Sequence, residues 1–397
     1  MGGMEKQMML LGSDPKPLIR AICSGLQPEV FAPITTYENS RYCKPNPDYY
    51  REILDKLGLL PEDCIMVGNG VAEAPRQFPG AAKLHSEFMT MFLLIPVLLI
   101  AAVFLGGAYY AYRVAFYSPR KDRGKSTPIV GEGYDPYREE MRQIHRRLCD
   151  RPCEYVTVVS HDGLTLSGRY YHIKDGAPLD IGFHGYRSSC IRDFSGGSAL
   201  SFQLEHNLLL VDQRAHGNSE GRTIAFGIQE RQDLLAWVSY ALERFGPETK
   251  ILLYGISMGG ATVLMASELD LPENVKGIIA DCPYSSPLEI ILHVGKKMPF
   301  PSWLIRPFAI LGAKIFGGFD LTETTAADAV SHAKIPILII HGDADSFVPS
   351  HMSDLMHRNP KMVTRYTFPG ADHGISYLVD TDRYSRIVAE FIEKVLK

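Results

Sequence analysis

The chain has 397 residues, with 41 lysines and arginines, 45 aspartates and glutamates, and a formal net charge of −4 at pH 7. This length leaves room for about two or three domains. The nearly balanced charge gives no reason to expect nucleic acid as a partner. Seven cysteines spread over so long a chain do not form a disulfide pattern, so we expect free thiols. The sequence has neither a CxxC pair nor an HExxH motif, and we predict no metal and no cofactor.

The N-terminal part, residues 1–80, contains the stretch ITTYENSRYCKPNPDYYREILDKLGLLPEDCIMVGNG. From about residue 25 to residue 75 the chain resembles part of a haloacid-dehalogenase-type phosphatase. The resemblance implies that Lys44 corresponds to the lysine that pairs with the phosphoryl group. In this chain GNGVAEA stands where the family has the aspartates that hold Mg²⁺, and the DxDx nucleophile motif is absent before Lys44. We therefore predict no phosphoryl transfer and interpret the segment as a truncated remnant or an open-reading-frame fusion.

Residues 88–112 contain no charged side chain and are almost wholly apolar. A helix of this length reaches ~37 Å, which is enough to cross a hydrocarbon core of ~30 Å. Four tyrosines cluster at its C-terminal end, as interfacial aromatic residues do: Tyr109, Tyr110, Tyr112 and Tyr117. A buried core helix is the alternative, but the run is long for one. The sequence therefore predicts a single transmembrane helix and a lipid bilayer as a partner.

The charges that flank this run are unequal on its two sides. Arg76 and Lys83 precede it, whereas five cations follow it, namely Arg113, Arg120, Lys121, Arg123 and Lys125. Since cytoplasmic flanks carry the excess of lysine and arginine, we expect the C-terminal side in the cytoplasm.

Residues 113–153 form a polar linker, and a pattern of strands alternating with helices begins at residue 154. YVTVVS and LTLSGRYYHI flank a turn and predict a hairpin. LDIGFHG, NLLLVDQR, KILLYGIS, VKGIIADCP and IPILIIHGDAD are short apolar runs typical of strands buried on both faces. A helical pattern is clearest in IQERQDLLAWVSYALERFG. The sequence therefore predicts an α/β domain at 154–397, with a mostly parallel central sheet and helices on both faces.

A strand, a tight turn and a helix are predicted around Gly255, Ser257 and Gly259. Such a turn raises a serine hydroxyl above the sheet edge, and the two glycines let the neighbouring backbone approach closely. The serine needs a base, and the base needs an orienting acid. With this elbow the acid and then the histidine follow the serine along the chain. Two acids, Asp343 and Asp345, end a later strand, and His373 follows the next one.

The developing oxyanion of an acyl-transfer reaction needs backbone amides as donors. We expect one from the N–H of Met258 and the other from the N–H of Tyr186, in the loop after the third strand. We interpret His184 and His341 as structural histidines. We also interpret Asp343 as a structural residue, because aspartates often shape loops by accepting hydrogen bonds from backbone amides.

From Glu154 to Lys397 the chain resembles α/β-hydrolases of the serine aminopeptidase and monoacylglycerol lipase type. The matching motifs are HGY at 184, DQRAHGNSEG at 212, GISMGG at 255, HGDADSFVP at 341 and DHG at 372. The resemblance implies that the acid is the aspartate three residues before Val348-Pro349, which is Asp345. It implies the α/β-hydrolase fold and a triad of Ser257, His373 and Asp345, but not a substrate.

A helical cap insertion is predicted at about residues 284–333. It is rich in apolar and aromatic residues: Met298, Phe300, Trp303, Leu304, Phe308, Phe316 and Phe319. Most of them would pack the cap, and a subset that faces Ser257 would form an acyl pocket.

The prediction is a membrane-anchored serine hydrolase that cleaves a small acyl ester. The alternatives are an acyl-protein thioesterase, a serine aminopeptidase and an inactive scaffold that only binds, although the complete triad argues against the last. Because every triad residue lies beyond residue 180, we expect a chain that starts near Ser118 to retain activity.

Overall fold

The computed structural model describes residues 79–119, 132–356 and 359–397, together with Asp48, Arg51, Glu52 and Asp55. The chain divides into two compact units, residues 1–102 and residues 103–397. The predicted haloacid-dehalogenase-like remnant therefore lies almost wholly outside the described residues.

Helix α1, Pro79–Ala111, contains all but the last residue of the predicted transmembrane run and continues into a π-helical turn, Tyr112–Phe116. The stretch Leu94–Phe116 is long and apolar enough to cross a membrane, and it overlaps the predicted run at residues 88–112. Side chains such as Leu98 and Val103 are more than half exposed. A buried core helix, the alternative to a transmembrane helix, would have these apolar side chains covered.

The second unit contains eight strands and most of the helices of the described chain. The strands are β1 Glu154–Val159, β2 Thr165–Tyr171, β3 Leu179–Phe183, β4 Asn207–Asp212, β5 Ile251–Ile256, β6 Val275–Asp281, β7 Ile337–Gly342 and β8 Val363–Phe368. The α-helices after α1 are α2 Arg138–Cys149, α3 Cys190–Phe194, α4 Gly197–Gln203, α5 Glu230–Phe245, α6 Met258–Ala266, α7 Pro287–Gly295, α8 Ser302–Gly312, α9 Ala326–Ser331, α10 His351–Asp354, α11 Ser376–Val379 and α12 Thr381–Leu396.

All eight strands form one sheet in the order β1-β2-β4-β3-β5-β6-β7-β8. The pairs β1–β2 and β2–β4 are antiparallel, and every later pair is parallel. The predicted hairpin and the mostly parallel sheet are therefore confirmed. The carboxyl ends of the parallel strands meet at one edge, where ligands bind in open sheets of this kind.

The central strands are mostly apolar, since both of their faces are covered by helices. On β5, Ile251 and Leu253 pack into one apolar cluster that includes Trp237 of α5. Leu252 and Tyr254 point to the opposite face and pack in a second cluster with Val388 of α12. Successive side chains of a strand alternate in this way between the two faces. The result is a sheet with helices on both sides, as predicted.

The cap predicted at 284–333 is helical and lies between β6 and β7. It consists of α7, α8, a π-helical turn at Ala313–Gly317, and α9. Ser286 accepts a hydrogen bond from Glu289 N at the start of α7, and the Thr325 hydroxyl accepts one from Asp328 N at the start of α9. These caps satisfy backbone donors that the first turn of a helix leaves free.

The segment predicted as a polar linker is partly helical. A 3₁₀-helix at Glu132–Tyr137 leads into α2, which buries Leu148 in the second apolar cluster. The apolar residues Met141, Ile144 and Leu148 are spaced three and four apart among nearly continuous charged and polar residues. Such a pattern gives a helix with one apolar stripe.

Candidate active site

Ser257 sits on a sharp turn between β5 and α6. Its backbone has φ 55° and ψ −114°, a strained conformation for a residue with a side chain. Both predicted elbow glycines are required by packing. A Cβ at Gly259 would lie 1.8 Å from the carbonyl oxygen of Phe183, and one at Gly255 would lie 2.2 Å from that of Gly259. The turn therefore depends on glycine at both positions.

The structure brings Ser257, His373 and Asp345 together from three different loops. Nε2 of His373 lies 2.9 Å from Oγ of Ser257, and Nδ1 of His373 lies 2.7 Å from Oδ2 of Asp345. These distances let the imidazole accept the serine proton on one side while Asp345 fixes its orientation on the other.

The charges at this site favour an ionised acid beside a basic imidazole. Burial favours the neutral form of Asp345, but hydrogen bonds with His341 and His373 outweigh it and hold the pKa of Asp345 well below its usual range. Burial also disfavours the imidazolium of His373, but the hydrogen bond with Asp345 and its negative charge outweigh burial and raise the pKa of His373. The pair therefore stabilises the imidazolium that forms when the serine loses its proton.

The neighbouring candidates have structural contacts. Nε2 of His341 lies 2.9 Å from the carbonyl oxygen of Val348 and 3.2 Å from Asp345 Oδ2, so this ring holds the acid loop. Asp343 accepts a hydrogen bond from Gly370 N at 2.7 Å. Neither residue contacts Ser257 in the described part of the chain, which agrees with their interpretation as loop-shaping residues.

One predicted oxyanion donor is on the residue that follows Ser257, and the other is on a loop that packs against Ser257. Met258 is the first residue of α6, so its N–H is at the positive end of the helix. Gly185 packs against the serine, since a Cβ at Gly185 would lie 3.3 Å from Ser257 Cβ. The carboxylate of Asp193 accepts a hydrogen bond from Gly185 N at 2.6 Å and fixes the loop that carries Tyr186. His184 is fully buried, with Nδ1 2.8 Å from the carbonyl oxygen of Gly185 and Nε2 accepting a hydrogen bond from Gln213 N at 3.1 Å, as expected of a structural residue.

The loop with Tyr186 also forms hydrogen bonds with the turn that follows α1. The Tyr186 hydroxyl donates to the carbonyl oxygen of Ala115 at 2.7 Å. The Arg187 guanidinium donates to the carbonyl oxygens of Val114 at 2.8 Å and of Tyr117 at 3.1 Å. The turn that follows α1 and the loop that carries Tyr186 therefore belong to a single hydrogen-bonded unit, which the sequence did not reveal.

A cavity of about 670 Å³ opens beside Ser257 and His373. Its wall combines apolar with polar residues, among them Met141, Ile144, Leu378, Ser188 and Arg192. No described cap residue lines it, so the expectation of an acyl pocket built from cap aromatics is wrong. Those aromatics pack elsewhere: for example, Phe308 contacts Phe104 and Phe316 contacts Tyr109 of α1, at ring centroid distances of 5.5 and 5.2 Å.

The segment before the hydrolase domain completes this cavity. Tyr134 donates a hydrogen bond to the carbonyl oxygen of His373 at 2.8 Å. Gly133 packs on Asp372, where an added Cβ would lie 2.4 Å from Oδ2. Tyr134 was not among the predicted site residues, because the contact joins residues 239 positions apart and no local motif marks it.

Asp281 ends β6 and lies next to the site. Its side chain lines the cavity, and Oδ2 accepts a hydrogen bond from the Tyr384 hydroxyl at 3.0 Å. Burial raises the pKa of Asp281 to about 6. The adjacent Cys282 has its Sγ 4.0 Å from His373 Nε2, and burial raises the pKa of this thiol well above its ordinary value.

Two groups of side chains have ligand atoms close enough for a metal ion within the described residues. One consists of Cys282, Asp345 and His373, where the high thiol pKa opposes the thiolate form that binds metals. The other consists of His161, Asp162 and Asp233. Its carboxylates form ion pairs with the buried guanidinium of Arg214, at 2.9 and 2.6 Å, which already balances their charge.

Comparisons with known proteins agree with this architecture. A family model described as alpha/beta hydrolase fold matches residues 182–327, and one described as haloacid dehalogenase-like hydrolase matches residues 3–75. The second match confirms the N-terminal resemblance and extends it from about residue 25 to residue 3.

Three curated relatives illustrate the similarity in sequence. The uncharacterized protein YqkD of Bacillus subtilis is 24% identical over 301 residues, which are 75% of this chain and 95% of YqkD. The alpha/beta hydrolase domain-containing protein WAV2 of Arabidopsis thaliana is 26% identical over 48% of this chain and 62% of its own. The uncharacterized membrane protein YNL320W of Saccharomyces cerevisiae is 27% identical, again over 48% of this chain and 62% of its own.

Among solved structures, the esterase Pf2001 of Pyrococcus furiosus is similar with a TM-score of 0.52 and 21% identity. The match covers 71% of this chain and 97% of the esterase. At this identity the likeness shows a shared fold, and the chemistry has to be argued from the site itself.

Proposed function

Residues 154–397 belong to the α/β-hydrolase superfamily, and on that premise we propose that the chain is a membrane-anchored serine hydrolase that cleaves carboxylic esters. The observation that carries the proposal is the pair of contacts that joins Ser257 to His373 and His373 to Asp345, at 2.9 and 2.7 Å. Nucleophile, base and orienting acid within hydrogen-bond reach are the geometric signature of covalent acyl transfer.

In the proposed reaction, Oγ of Ser257 attacks the ester carbonyl carbon while Nε2 of His373 takes the serine proton. The N–H groups of Met258 and Tyr186 bind the oxyanion of the tetrahedral intermediate. The imidazolium then gives its proton to the departing alkoxide, so that an alcohol leaves and the acyl group stays on Ser257. A water molecule activated by His373 attacks the acyl-enzyme, and the carboxylic acid departs.

The cavity supports an acyl ester as the substrate class rather than an aminoacyl compound. Its volume of about 670 Å³ is within the range of small-molecule sites. An aminopeptidase needs a charged acid for the free amine of its substrate. Asp193 is already bonded to Gly185 N and to the Ser188 hydroxyl, and Oδ2 of the buried Asp281 accepts a hydrogen bond from the Tyr384 hydroxyl. Both carboxyl groups thus have partners within the protein, which favours a substrate without a free amine.

Membrane anchorage is supported by the apolar stretch Leu94–Phe116, most of whose residues are exposed. The name of one relative, the uncharacterized membrane protein YNL320W, points the same way. The cations that follow the helix favour a cytoplasmic position for the hydrolase domain.

The substrate class is tested with purified full-length protein and p-nitrophenyl esters of graded acyl length. A matched acyl thioester and an aminoacyl p-nitroanilide serve as comparison substrates. We expect turnover of the esters, with kcat/KM rising with acyl length until the cavity is filled, and none of the anilide. Preferential cleavage of the anilide would identify an aminopeptidase, and preferential cleavage of the thioester would identify a thioesterase.

A further inference from the structure

The cap carries an unusual concentration of positive charge. Between Ile290 and Phe319 the sequence contains no aspartate or glutamate. The same stretch has four exposed cations: Lys296, Lys297, Arg306 and Lys314. In a chain of net charge −4 this segment is therefore a local cationic patch.

Large apolar side chains are exposed among these cations. Trp303 is 76% exposed, and Val294, Phe300 and Ile315 are also exposed. The opposite side of the same segment is anchored in the second unit, since Gly295, Ala309 and Ala313 are buried. We call residues 294–315 the interfacial segment.

The interfacial segment packs directly on the last turns of α1. A Cβ at Gly107 would lie 2.6 Å from the Phe308 ring, and one at Gly312 would lie 2.5 Å from the carbonyl oxygen of Ala108. Glycines at both crossings let the two helices approach as closely as helices do in membranes. Other side chains of these turns, including Val103 and Tyr110, remain exposed. The segment is thus continuous with the apolar helix that we propose to be the anchor.

We propose that the interfacial segment binds the anionic surface of the phospholipid bilayer in which α1 is anchored. The inference rests on the anchorage in the proposed function. Tryptophan and basic residues beside a membrane-spanning helix are the combination that binds at the level of lipid headgroups. Clusters of lysine and arginine next to such a helix are attracted by anionic lipids. A nucleic acid would use the cations but would leave the apolar side chains uncovered.

This docking orients the hydrolase domain. The cap follows β6 and the loop of Tyr186 follows β3, so both lie at the carboxyl edge of the sheet, beside Ser257. Tyr186 is in turn bonded to Ala115, four residues after the last residue of α1. Binding of the interfacial segment to lipid therefore holds the active-site edge close to the bilayer, where amphiphilic esters accumulate.

The chain offers a direct spectroscopic test, because it has only two tryptophans and they differ completely in exposure. Trp237 is buried, and Trp303 is 76% exposed. Full-length protein is reconstituted into vesicles of phosphatidylcholine, with or without phosphatidylglycerol, whose acyl chains are brominated. Quenching of tryptophan fluorescence is measured for the wild type and for Trp303→Phe.

We expect strong quenching in the phosphatidylglycerol vesicles, and its loss in Trp303→Phe. The double variant Lys296→Glu/Lys297→Glu should weaken the quenching. The matched control Lys334→Glu/Lys361→Glu should leave it unchanged, because these exposed lysines precede β7 and β8 at the opposite edge of the sheet. Quenching that does not depend on Trp303, or equal quenching in both double variants, would overturn the proposal.

Two further readouts separate this proposal from the proposed function. Flotation with the vesicles reports on the anchor, and labelling by a fluorophosphonate reports on the serine nucleophile. Protein that floats and is labelled, yet whose Trp303 remains accessible to aqueous acrylamide, contradicts the interfacial segment alone. Protein that does not float contradicts both the anchor and the interfacial segment.

Discussion

Asp345 lies buried between two imidazole rings, and its two oxygens have different partners. Oδ1 accepts hydrogen bonds from the backbone N–H groups of Phe347 and Val348, at 2.9 and 2.7 Å. Oδ2 faces His373 and His341. The first set of bonds fixes the carboxylate, and the second uses its charge to orient His373.

Asparagine at position 345 would keep the shape but lose the charge and one acceptor. We therefore expect Asp345→Asn to lower kcat by about 10⁴-fold, as for a triad histidine held in the wrong tautomer. Asp343→Asn is the matched control, because it changes an equivalent group that contacts Gly370. It should keep near wild-type kcat and lower the free energy of unfolding by about 1 kcal/mol. The reverse pattern in esterase assays and thermal melts would make Asp343 the acid.

The raised pKa of His373 has a consequence for the pH profile. Only the neutral imidazole accepts the serine proton, so kcat/KM should rise with pH through the His373 pKa of the free enzyme. Since Asp345 raises this pKa, the midpoint should lie above the ordinary histidine value of about 6.5. The residual activity of Asp345→Asn should have its midpoint shifted to lower pH. A wild-type midpoint below that of the variant would contradict the assigned pair.

At the scale of elements, the turn after α1 is part of the active-site scaffold. The carbonyl groups of Val114, Ala115 and Tyr117 accept hydrogen bonds from the loop that carries Tyr186. Tyr117 also forms a β-bridge with Thr223, and the Tyr112 hydroxyl lies 3.1 Å from the Thr223 hydroxyl. From the sequence we expect a chain that starts at Ser118 to retain activity, but these contacts are made by residues before Ser118 and would be lost.

A chain that starts at Ser118 lacks the three carbonyl groups, whereas one that starts at Val103 keeps them. Removing an oxyanion-hole donor costs about 10²–10³-fold in kcat, which sets the scale of the loss when Tyr186 is misplaced. We expect the shorter chain to lose activity by up to this factor and the longer chain, assayed in detergent, to match the full-length protein. Equal kcat values would show that the turn serves only as a tether.

Helix α2 and the contact of Tyr134 could not be predicted from the sequence, whereas the central strands could. The central strands were readable because β5 and β7 are uninterrupted apolar runs bounded by turns. Helix α2 has only three or four apolar residues among its charges, so its pattern is weak in a segment that reads as polar. The contact of Tyr134 with His373 depends on how the chain returns to the sheet edge, which no local pattern encodes.

At the scale of the whole molecule, the fold and the grouping of site residues followed from sequence, but the surroundings of the site did not. Ser257, Asp345 and His373 could be found because parallel strands bring their loops to one edge in a fixed order. The aromatic composition of the cap suggested an acyl pocket, yet composition does not tell which way a side chain faces. In the structure the cap turns Phe308 and Phe316 toward α1, and residues from before the domain form only part of the cavity wall, together with loops of the domain itself.

The central claim is that Ser257 is an activated nucleophile in the intact protein. The most direct measurement treats full-length protein with a fluorophosphonate and locates the adduct by mass spectrometry of the digested chain. We expect one adduct, on Ser257, and none in Ser257→Ala, which should melt like the wild type and lose about 10⁴-fold or more in esterase kcat. An adduct at another residue, or near wild-type esterase activity in Ser257→Ala, would contradict the account.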